Sequence, residues 1–108
     1  MTKSEWDEAY KEFDKVYAEL ALHEQDYKYG SNQKIRDHAE RQMGYAKHTL
    51  SYLFKKYPEV NHMAMGGKNA NSMDRAFAQD EFYLNQYIVG DLRNLLNSMK
   101  DKIRSLNN

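Results

Sequence analysis

Apolar residues recur along this chain at the helical period, in stretches separated by glycine and proline signals. In the first stretch they fall at Trp6, Tyr10, Phe13, Val16, Tyr17, Leu20 and Tyr27, within an arc of roughly 140° at 100° per residue. Glu24 lies inside that arc as the polar exception. Thr2 with Glu5 three residues on forms a capping box, and Ser4 with Asp7 offers a second start. A helix ending near Tyr29 is predicted, with Gly30 as a left-handed stop. Ser31 or Asn32 then opens a second helix, running from Asn32 to Tyr57. Its buried set is predicted as Ile35, Ala39, Met43, Ala46, Leu50, Leu53, Phe54 and Tyr57. Pro58 ends it, because proline disfavours helical geometry in the residue before it. So short a connection makes these two helices antiparallel neighbours.

Residues 58–71 break the pattern. Pro58 can open one short helical turn through Met65, before Gly66 and Gly67 interrupt it. The apolar period then resumes at Met73, Phe77, Leu84, Ile88, Leu92, Leu95, Met99, Ile103 and Leu106. A helix over 72–106, roughly 50 Å long, is predicted as the element the others pack around. No stretch alternates apolar and polar residues as a strand does. The expected fold is therefore all-α: an antiparallel three-helix bundle in up-down-up order, with its first and third helices parallel. On the third helix the apolar arc spans roughly 220°, wider than one-sided packing needs. Phe82, Val89 and Leu96, reinforced by Leu92, fall on its far flank. They are the expected interface, with a two-fold homodimer as its commonest form.

Length and charge refine this picture. With 108 residues, a single domain over 1–108 with a small core is expected. The chain has no cysteine, which removes disulfides and thiolate chemistry. Its first residues turn acidic with no apolar run, so no signal peptide is expected. The longest apolar runs are too short for a membrane span, and a soluble, cytoplasmic chain is the expectation. Net charge is zero but unevenly spread. Residues 1–26 hold eight carboxylates against three lysines, and residues 27–58 hold seven Lys/Arg against two carboxylates. Two neighbouring helices of opposite sign attract each other; the basic one can also face an anionic partner.

Candidate chemistry concentrates on the second helix. Arg41, His48 and Lys55 form a row at spacing seven, flanked by Tyr45 and Tyr52, opposite the buried stripe. Cations neutralise phosphates and tyrosine rings stack on bases, so this face is a candidate ligand surface for a nucleotide or RNA. Neutrality of the whole chain favours a small anionic ligand over a long nucleic acid. The eight residues Arg41-Gln-Met-Gly-Tyr-Ala-Lys-His48 resemble the Arg-x4–6-His motif of the small all-helical HEPN ribonucleases. That family usually has a polar residue just after the arginine, the place Gln42 occupies here, and carries the motif late in the bundle, whereas here it stands early in the chain. The resemblance implies Arg41 on the phosphate and His48 as acid/base, paired across a dimer.

Other motifs exclude more than they suggest. Gly66-Gly67-Lys68 lacks the earlier glycine and the following Ser or Thr of a phosphate loop, since His62 and Asn69 stand there. Histidines 23, 38, 48 and 62 have no ligating spacing, so no metal and no cofactor are expected. Two polar layers are expected instead, Glu24 with His38 and Asp91, and Asp80 with Thr49 and Lys47. Together these features predict a small non-enzymatic protein–protein interaction module, a regulator or inhibitor of a larger protein. A nucleotide- or RNA-binding bundle and a HEPN-like ribonuclease are the alternatives.

Overall fold

Thr2 starts the first helix as its capping box predicts: its side chain accepts from the Glu5 amide and Glu5 accepts from the Thr2 amide, both at 3.1 Å. The computed structural model describes residues 1–64 and 89–107. Among these the chain forms four helices and no strand: α1 Lys3–Tyr29, α2 Gln33–Lys56, α3 Pro58–Ala64 and α4 Val89–Leu106. None of them is long and apolar enough to cross a membrane.

Gly30 ends α1 differently from expectation. Its φ of −56° and ψ of 142° are extended, not left-handed. What requires glycine here is space, because an added Cβ would meet the Asp26 carbonyl oxygen at 2.5 Å. The Gly30 amide donates to that same oxygen, and Arg36 donates to the Gly30 carbonyl at 2.7 Å. Asn32 then caps α2 by accepting from the Ile35 amide at 2.9 Å. At the far end the Tyr57 amide still donates to Leu53, after which Pro58 opens α3, where its missing N–H costs nothing.

α1 and α2 pack antiparallel along a seam running from Phe13 against Phe54, ring centroids 5.3 Å apart, to His23 against His38 at 6.3 Å. α1 buries Trp6, Ala9, Phe13, Val16 and Leu20, while Tyr10 and Tyr17 are half-buried. The stripe fades upward, where Tyr27 is exposed and Glu24 pairs with Lys28 at 3.5 Å. α2 buries Ala39, Ala46, Leu50, Leu53 and Phe54 as predicted, but Met43 is half-buried and Ile35 exposed. Ile35 stands in the first turn, above the reach of the core.

Two expectations about the last helix need correction. First, α4 runs antiparallel to α1. Arg93 Nε donates to the Tyr17 hydroxyl at 3.1 Å and the Lys100 ammonium lies 5.8 Å from the Tyr10 ring centroid, so the contacts follow opposite chain order. α1, packed against both α2 and α4, is the central helix, and α3 bridges α2 and α4. Chain direction is dictated across a short turn, but positions 65–88 intervene before α4 and remove that constraint. The part of the predicted third helix that precedes Val89 lies outside the described residues.

Second, Val89, Leu92 and Leu96 are in the core, at 7 %, 0 % and 5 % exposure, together with Leu95, Met99 and α3's Val60. On the wheel Leu95, Met99, Leu92, Leu96 and Val89 occupy an arc of roughly 120°, an ordinary one-sided stripe. The wider arc expected of this helix includes positions before 89, which lie outside the described residues. Phe82, the fourth expected interface residue, lies outside the described residues.

Candidate interaction surface on α2

With one turn of helix every 3.6 residues, positions i, i+4, i+7, i+11 and i+14 share a face. Arg41, Tyr45, His48, Tyr52 and Lys55 hold those positions on α2, and all five are exposed, Tyr45 at 67 % and Tyr52 at 61 %. They stand away from the buried stripe of Ala39, Ala46, Leu50 and Leu53. Between them lies an open depression of about 340 Å3, lined among the described residues by Arg41, Gly44, Tyr45 and His48. Gly44 forms its floor, with no atom within 4 Å of where a Cβ would sit. The structure thus brings Arg41, Tyr45 and His48 into one concavity and places Tyr52 and Lys55 one and two turns beyond it. Gly44 was not singled out from the sequence; its place three residues after Arg41, the helical neighbour position, was the available signal.

At one end of this face, Glu12 of α1 meets α2. Its carboxylate accepts from Tyr57 at 2.5 Å and from Lys56 at 3.1 Å, and the Lys56 ammonium lies 5.3 Å from the Tyr57 ring centroid. Burial opposes ionisation of Glu12, but the hydrogen bonds from Tyr57 and Lys56 outweigh it and hold the carboxyl below the usual range. The Glu12 carboxylate in turn raises the Lys56 pKa. Burial, then Glu12, pushes the Tyr57 hydroxyl up. The opposite signs of the first two helices therefore do meet, at this point of the seam.

Neither expected polar layer is complete among the described residues. Thr49 is exposed and its hydroxyl donates to the Tyr45 carbonyl at 3.2 Å. His38 meets His23 rather than Glu24. Asp80, the Asp91 side chain and the Gly66-Gly67-Lys68 turn lie outside the described set. Among the described residues no three His, Asp or Glu side chains converge to hold a metal ion.

Arg41 and His48 share the concavity, an arrangement able to seat an anion on a guanidinium beside an imidazole. Comparison with family models, curated proteins and solved structures finds no match for this chain.

Proposed function

We propose that this chain is a small, non-enzymatic protein–protein interaction module, a regulator or inhibitor of a larger protein, acting through the outer face of α2. The observation that supports it is the exposed stripe of Arg41, Tyr45, His48, Tyr52 and Lys55. Tyrosine and arginine dominate the energetics of protein interfaces, because both present wide, rigid contact area together with hydrogen-bonding ends. Tyr45 and Tyr52 are both more than 60 % exposed on one helix face, which leaves two aromatic rings with hydroxyl ends available for contact. Val89, Leu92 and Leu96 of α4 belong to the core, which leaves the outer face of α2 as the contact surface.

The concavity at Arg41, Gly44, Tyr45 and His48 supports a second reading, a nucleotide- or RNA-binding bundle, in which the cations hold phosphate and Tyr45 stacks on a base. Capture from the native host separates the two. Wild-type chain and an Arg41→Ala, Tyr45→Ala, Tyr52→Ala variant serve as baits. A stoichiometric protein retained by wild type and lost by the variant supports the first reading. Nucleotide or nucleic acid lost by the same variant supports the second. Identical captures by both baits would retire the α2 surface altogether.

A further inference from the structure

The depression on α2 has a specific geometry. Arg41, Gly44, Tyr45 and His48 are positions i, i+3, i+4 and i+7, the diamond that receives one side chain of a facing helix in knobs-into-holes packing. With glycine on the floor, it accepts a large knob. Its two ends are basic, so the knob that fits it is apolar and flanked by carboxylates.

Such a knob exists on this chain. Leu22 of α1 is 69 % exposed, and Glu19 and Asp26 stand three residues before and four after it, both exposed. Glu12, Glu19 and Asp26 repeat at spacing seven, as Arg41, His48 and Lys55 do on α2. The Glu12–Lys56 ion pair shows that these rows lie on the same side of the α1/α2 hairpin, because Lys56 follows Tyr52 by four residues and shares its face. Within one chain Glu12 is engaged by Lys56 and Tyr57, whereas Glu19, Asp26, Arg41 and Lys55 make no ion pair among the described residues.

We infer that this face of the α1/α2 hairpin is a self-association surface, on which a second copy of the chain lays its α1 along α2, and reciprocally, about a two-fold axis parallel to the helices. The inference rests on reading the α2 face as a protein-binding surface. Such an axis preserves height along the helices. The contacts Phe13–Phe54 and His23–His38 set the register of the hairpin, and carried to Leu22 they place it level with Ala39 to Tyr45. Leu22 of each copy therefore arrives at the depression of the other. Arg41 falls between the incoming Glu19 and Asp26, and α1 and α2 meet antiparallel. The 24 residues of α2 make a face about 36 Å long. Two helices side by side span roughly 18 Å, so each copy covers roughly 650 Å2. That is slightly below the ~800 Å2 per partner of a standard interface, and a reversible dimer is the expectation.

Sedimentation velocity from about 5 to about 300 µM in low salt tests it, since screening weakens exposed charge rows. Three proteins are compared: wild type, Arg41→Glu with Lys55→Glu, and Glu19→Lys with Asp26→Lys. All four positions are exposed, and circular dichroism confirms that each variant is folded. Wild type is expected to shift from monomer to dimer with concentration, and each variant alone to remain monomeric. An equimolar mixture of the variants is expected to form a heterodimer, because one then carries acidic rows apart from His48 and the other basic rows apart from Glu12. Leu22→Glu should weaken wild-type association at least tenfold. A wild type monomeric throughout, or a dimer indifferent to both reversals, or a mixture that fails to reassociate, overturns the inference. A monomeric wild type that still captures a host protein through Arg41 and Tyr45 removes self-association and leaves the proposed function standing. A charge-dependent dimer whose host captures ignore Arg41 and Tyr45 does the reverse.

Discussion

The hydroxyl of Tyr57 donates to one oxygen of Glu12 while the ammonium of Lys56 donates to the other, fastening the C-terminal end of α2 to the first half of α1. The folded carboxyl of Glu12 ionises below its unfolded value. Its contribution to stability is therefore full at neutral pH and is lost as pH falls below about 4, through the folded pKa. Lys56 and Tyr57 are shifted upward, so what they contribute is present below pH about 10 and is lost as pH rises through their folded values. Chemical denaturation of wild type and Glu12→Gln across pH should show curves that converge in acid. Partial exposure of the site keeps the neutral-pH difference near about 1 kcal/mol. A difference that persists unchanged at pH 3 would assign the effect to packing rather than charge.

Leu92 and Leu22 provide a paired test of the packing. Leu92 is fully buried and Leu22 is 69 % exposed. Leu92→Ala should cost about 2–5 kcal/mol, while Leu22→Ala should stay within about 0.5 kcal/mol. The double substitution Val89→Glu and Leu96→Glu places two charges in the core. It should abolish cooperative melting instead of merely altering association. A cooperative transition near that of wild type in the double variant would show that α4 is not docked on α1 in solution.

Gly30→Ala is expected to lower stability by about 1–3 kcal/mol, since the new methyl meets the Asp26 carbonyl and the Ile35 and Arg36 side chains. Because φ at this position is negative, the loss comes from crowding alone. Gly44→Ala, in open space, should be neutral or slightly stabilising through helix propensity. Equal melting temperatures for the two variants would contradict the assigned roles.

Replacing Arg41, His48 and Lys55 together by alanine should leave helicity and melting nearly unchanged, as all three are exposed. If the concavity holds an anion, nucleotide binding should vanish in this variant and fall steeply with salt in wild type. Ribonuclease activity lost in Arg41→Ala and in His48→Ala separately would establish the HEPN-like chemistry. An inactive wild type would end it.

What could be read from the sequence follows from how local its causes are. Thr2, Asn32 and Pro58 act within a few residues of themselves, so the ends of α1 and α2 were legible. The stripe from Trp6 to Leu20 and that from Ala39 to Phe54 were legible for the same reason, being unbroken periods joined by a short turn. Ala9, buried against this core, was missed because a single methyl adds little to an apolar arc. The direction of α4 was not legible, since positions 65–88 separate it from α3 and no short connection sets it. Nor was the inward side of Val89 and Leu96, because a helical wheel gives relative angles and only a neighbour gives their origin. On α2 the row of Arg41, Tyr45, His48, Tyr52 and Lys55 was visible as a pattern. The hollow at Gly44 required three dimensions.

The central position of α1 also bears on the order in which the chain folds. Phe13 and Phe54 meet across a turn only a few residues long, whereas Tyr17 and Arg93 lie 76 residues apart in sequence. Closing the second loop costs more entropy, so the α1/α2 hairpin should form ahead of the docking of α4. Stopped-flow chevrons would then divide the core into two kinetic classes. Phe54→Leu should slow refolding, and Leu92→Ala should chiefly accelerate unfolding. A chain so arranged passes through a moment when the α1 surface for α4 is bare while the hairpin is already formed. Its susceptibility to aggregation and to chaperones during synthesis would be set by that interval rather than by the finished fold.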